Sequence, residues 1–138
     1  MVLAGLFAAA LGVFAVSPAS ADSQQVQLQD NAFIVPAVAV KAGESVTWTN
    51  PGPQGGTTDI HNVNFEDGAF TNPPMPALGP NTGTRTFATE GTYLYFCQNH
   101  GGPGRQGMSG VVYVNSTGTV PGAAPTASFT TSPSVARI

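Results

Sequence analysis

From Gln25 onward, apolar and polar residues alternate in short runs broken by Gly, Pro and Asn, and no stretch sustains the 3.6-residue period of an amphipathic helix. In SVTWTN, Val46 and Trp48 fall on one face and Thr47 and Thr49 on the other, as in a strand with one side buried. VQLQ (26–29), AVAVKAG (37–43), IHNVNF (60–65), TRTFAT (84–89), TYLYFC (92–97) and GVVYVN (110–115) read as further strands. With 17 Gly and 12 Pro as punctuation, the pattern predicts an all-β chain folded as an antiparallel β-sandwich.

Both ends depart from this texture. Residues 2–16 are uncharged and apolar, and the SPASA that follows ends in the small-x-small pattern of a processing site. Residues 1–21 are therefore expected to be a signal peptide cleaved after Ala21, and the protein to be exported, to the periplasm, the outer face of the cytoplasmic membrane or the extracellular space. An apolar run of this length falls short of the about 20 residues a bilayer span requires. Residues 116–138, rich in Ser, Thr, Pro, Ala and Gly, read as a flexible tail with no retained membrane span. The folded domain is expected to occupy residues 22–115.

Charge narrows the function classes. Only 8% of residues are charged, the net charge is −3, and the four Lys and Arg are scattered singly, so no basic patch for nucleic acid exists. The single cysteine, Cys97, cannot form an internal disulfide. An exported domain of this size must then be held by its core or by a bound metal.

The candidate chemistry lies in YFCQNHGGPGRQGMSG, which collects Cys97, His100 and Met108. Cys97 ends its strand on the face of Tyr93 and Tyr95, and His100 follows three residues later. A copper site of the electron-transfer type uses two imidazoles, one thiolate and a weak axial thioether. The other imidazole of the chain, His61, shares a strand face with Val63 and Phe65. The alternative is a set of coincidences: a core histidine satisfied by a carbonyl, a buried thiol and a core methionine. The two His, the one Cys and a well-placed Met nevertheless complete the ligand set with no His or Cys left over. Zinc fits less well, because a thioether is a poor ligand for it.

These motifs resemble those of the cupredoxins, the blue copper proteins, and in particular the plastocyanin-like branch. FIVPAVAVKAGESVTWTN is similar to the early strands of that family, HNVNF to its first-ligand segment, and GTYLYFCQNH with GMSGVVYV to its closing ligand loop. The resemblance implies a Greek-key sandwich of about seven to eight strands. It also implies one type 1 copper ion held by His61, Cys97 and His100 with Met108 as the long axial ligand. Asn62 would then tie the ligand-bearing segments together by hydrogen bonds. The seven residues between His100 and Met108 make the loop longer than in typical plastocyanins. Gln98, Gln106 and Met75 are the other conceivable axial donors, and Met75 reads more simply as a loop residue covering the copper end.

The function so implied is an exported, monomeric carrier that shuttles single electrons between redox protein partners by transient docking. The electron port would be the edge of His100 in an uncharged rim that includes Pro103. Copper storage or delivery is the alternative. An enzyme is not expected, since no further histidines remain to build a catalytic copper cluster.

Overall fold

The structure is a computed structural model that describes residues 23–123; the expected signal segment and tail residues 124–138 lie outside them. In chain order the strands are β1 (Ser23–Gln29), β2 (Ala32–Ile34), β3 (Ala37–Val40), β4 (Ser45–Asn50), β5 (His61–Phe65), β6 (Thr71–Ala77), β7 (Asn81–Thr86), β8 (Gly91–Gly102) and β9 (Gln106–Val114). They form a four-stranded sheet in the order β2-β1-β4-β7 and a five-stranded sheet in the order β3-β9-β8-β5-β6. Among the described residues, no helix is long and apolar enough to cross a membrane.

The sandwich is mixed rather than purely antiparallel, because β1 runs parallel to β4 and β3 parallel to β9. Alternation along a strand records which face is buried and is silent about the direction of the neighbour, so the sequence could not separate the two cases. β6 is a strand where the sequence reads as loop. Its three prolines, in TNPPMPA, cannot donate to a ladder, and they are accommodated because β6 is the outermost strand of its sheet.

The inner faces meet in one core. Val46 and Trp48 of β4 are buried as the alternation predicts, together with Val26, Leu28, Val63, Phe65, Phe87 and Tyr95. Trp48 packs edge-on against Phe65 and Tyr95, with ring centroids 5.3 Å away in each case. Burial pushes the Tyr95 phenol up to about 12. Cys97 and Met108 belong to the same buried cluster, so the soft donors sit at the edge of the aromatic core.

Candidate metal centre

The β8–β9 ladder positions the closing loop. It runs in register from Gly91↔Val114 to Phe96↔Ser109, breaks, and resumes at Gly101↔Gly107 and Gly102↔Gln106. Across the break β8 carries Cys97, Gln98, Asn99 and His100 while β9 carries Met108 alone. The excess on β8 arches Cys97 and His100 around Met108, as an enlarged β-bulge does.

The glycines make this arch sterically feasible. A Cβ on Gly101 would lie 2.4 Å from the Met108 carbonyl oxygen, and one on Gly107, at φ +57°, would lie 2.3 Å from the carbonyl oxygen of His100. What reads in sequence as an extended loop is thus a paired hairpin extension that turns through Pro103, Gly104 and Arg105. Its tip is tied down where the Gly104 N–H donates to Glu66 Oε1 at 2.7 Å. Glu66 follows the end of β5 opposite His61, which leads the turn, with the exposed Pro103, away from the His61 end of that strand.

β5 brings the second imidazole. His61 and Cys97 are fully buried, and the Cys97 Sγ lies 3.8 Å from His61 Nδ1 and 3.5 Å from His100 Nδ1. The three donor atoms lie within 4.8 Å of one another. A first-row ion bound at about 2.0 Å to nitrogen and about 2.3 Å to sulfur in a trigonal plane separates those donors by roughly 3.7 Å. The spacing therefore suits a bridging ion, and the two-imidazole, thiolate and nearby thioether set fits copper. Burial holds the His61 imidazole below its ordinary value, mainly by desolvation and then by the nearby His100, while Asp59 and Asp30 act in the opposite sense. A neutral imidazole keeps its lone pair available to a metal.

Asn62, also fully buried, joins three strands. Its Oδ1 accepts from the Gln98 backbone N–H at 3.0 Å, and its Nδ2 donates to Gln98 Oε1 at 2.6 Å and to the Pro73 carbonyl at 3.4 Å. This bonding occupies the Gln98 side chain. Gln106 is exposed, and Met75 on β6 is 76% exposed. Of the four side chains considered for the axial place, Met108 is the one buried with Cys97.

The rim of the site departs from the uncharged surface expected from sequence. His100 Nε2–H donates to Asp59 Oδ2 at 2.8 Å, and Asp30 Oδ1 lies 3.9 Å from His61 Nε2. The groups at the outer nitrogen of His100 are Asp59 and Asn99, not Pro103. Asp30 is distant in sequence and reaches the site through the β1–β2 turn. Asp59 stands two residues before His61, which is the one local signal that could have pointed to it.

A two-sheet β-sandwich with a buried cysteine sulfur and paired imidazoles at one end of its core defines a small copper-binding protein. A family model described as copper binding proteins, plastocyanin/azurin family, matches residues 20–115, and the chain belongs to that family. It is 36% identical over 110 residues to amicyanin-alpha of Methylorubrum extorquens, covering 68% of this chain and 87% of that one. The crystal structure of amicyanin from Paracoccus versutus matches at a TM-score of 0.52 with 30% identity, covering 71% of this chain and 86% of that one. A purple cupredoxin from Nitrosopumilus maritimus, 24% identical with a TM-score of 0.51, shares the fold.

Proposed function

We propose that this protein is an exported, monomeric type 1 copper protein that carries single electrons between redox protein partners, with His61, Cys97 and His100 as the strong ligands and Met108 as the axial one. The observation that carries this reading is the spacing of the Cys97 sulfur from His61 Nδ1 and His100 Nδ1, 3.8 and 3.5 Å, at the buried end of the core. Bound there, copper supplies a one-electron couple whose two states are both served by a mixed thiolate, thioether and imidazole set.

The chain's own residues supply rigidity. Asn62 fastens β5 to the Cys97 loop, the Gly101 and Gly107 pairing clamps the Met108 segment, and Glu66 anchors the hairpin tip. A site so braced changes little between oxidation states. Storage or delivery is served better by an open, labile site, and Cys97 with 0% exposure does not offer one. The partially exposed His100 is the route by which an electron leaves, and a transient redox partner docks over it. Residues 1–21 act as the export signal on this reading, which accords with a buried, unpaired thiol in an oxidising compartment.

Adding Cu(II) to the purified protein should produce an intense blue thiolate-to-copper absorption and a narrow copper hyperfine splitting, both lost in Cys97→Ser. A pale complex, unchanged by that substitution, would sink the proposal.

A further inference from the structure

At the rim of the site Asp30 braces the segment that carries Asp59, the hydrogen-bond partner of His100. The buried His61 Nε2 has no hydrogen-bond partner among the described residues and lies 3.9 Å from Asp30. The Asp30 carboxylate accepts from the Thr58 N–H at 2.9 Å, from the Thr58 hydroxyl at 3.1 Å and from the Asp59 N–H at 3.3 Å. The Asp59 Oδ1 in turn accepts from the Ile60 N–H at 2.8 Å, which fixes the carboxylate plane and directs Oδ2 at His100 Nε2.

We infer that Asp59 is a positioning residue for His100, which locks the ring with Nδ1 toward the Cys97 sulfur and biases a bound copper towards its oxidised state. The inference rests on the copper reading above.

The geometry carries it in two ways. A carboxylate oxygen 2.8 Å from Nε2 is favourable only if that nitrogen bears a proton, so in the neutral ring that a metal requires the proton sits on Nε2 and the Nδ1 lone pair faces the sulfur 3.5 Å away. Asn99 Nδ2 lies 2.9 Å from the same nitrogen, and with the Nε2 proton directed at Asp59 this amide is satisfied by turning over so that its oxygen faces the ring. A histidine ligand whose outer N–H is held by a carboxylate is also a stronger donor, and stronger donation with an adjacent negative charge favours Cu(II) over Cu(I). The His100 side chain is 12% exposed and that of Asp59 48%, so the ring side of this bond is sheltered while water reaches the carboxylate side.

The test compares copper-loaded wild type with Asp59→Asn, which keeps shape and loses charge, and with Glu90→Gln, which removes an equal charge at the opposite end of β8. At a fixed applied potential, Asp59→Asn should raise the Cu(I):Cu(II) ratio about tenfold, an upward shift of about 59 mV for one electron. Glu90→Gln should move it by less than a third as much. Equal shifts in the two variants, or none in Asp59→Asn, would overturn the inference. A second measurement needs no copper. In metal-free protein the His100 Nε2–H proton should be visible by NMR and should vanish through solvent exchange in Asp59→Ala; its persistence there overturns the inference equally. Absence of the blue absorption in wild type would instead count against the copper reading, and the NMR result would still judge Asp59.

Discussion

Asn62 grips Gln98 at two points, accepting its backbone N–H at 3.0 Å and donating to its side-chain oxygen at 2.6 Å, from a position with no solvent exposure. One amide thereby fastens the strand that carries His61 to the loop that carries Cys97 and His100.

Substituting Asn62→Ala removes these bonds and the weaker one to Pro73, leaving a buried cavity beside the site. The metal-free protein should lose roughly 1–3 kcal/mol of stability, the cost of unpairing buried polar groups. Denaturant unfolding reads this directly. Copper release from the variant should also be faster, and an unchanged release rate would show that Asn62 braces the fold without bracing the ligands.

Gly107 is the tightest point of the hairpin, with φ +57° and a Cβ position 2.3 Å from the His100 carbonyl oxygen. Gly107→Ala must therefore displace the backbone of His100 or open the Gly101↔Gly107 pair. Backbone strain of about 1–3 kcal/mol is expected. The same change at Gly104, where a Cβ meets nothing within 4 Å, should cost less despite its positive φ. Thermal unfolding of the two variants, with copper titration of each, checks the order; equal losses would contradict the packing argument.

Arg85 lies over the rings of Phe65, Phe87 and Tyr93, with its guanidinium carbon 4.3, 4.9 and 5.1 Å from their centroids, and its two terminal nitrogens hold Asp67. The hydrogen bond from Arg85 is the main reason the Asp67 carboxyl lies below its ordinary value. A carboxyl whose folded-state value is depressed stabilises the fold above its unfolded value, near the ordinary 3.8, and that stabilisation fades as pH falls through the folded value. Asp67 is 37% exposed, so solvent screening limits the effect to about 1 kcal/mol or less. Asp67→Asn should thus be less stable than wild type at neutral pH, with the gap closing in acid. A gap independent of pH would assign the loss to packing.

The sequence by itself determined the half-buried strands and the inventory of donors. Val46 and Trp48 are buried as their alternation requires, and His61, Cys97 and His100 converge. Local side-chain periodicity and ligand chemistry suffice for both, because each is a property of neighbouring residues or of a residue type. Only the tertiary structure decided the rest. The parallel pairing of β1 with β4, the strand character of proline-bearing β6 and the fold-back of the Pro103 turn onto Glu66 depend on which strand lies next to which. So does the rim of the site: Asp30 and Asp59 are scattered acids in the sequence, and when the β1–β2 turn closes against Thr58 Asp59 bonds His100 while Asp30 comes within 3.9 Å of His61. Hydrogen bonds between residues far apart along the chain leave no periodic trace, and only folding brings their atoms within reach.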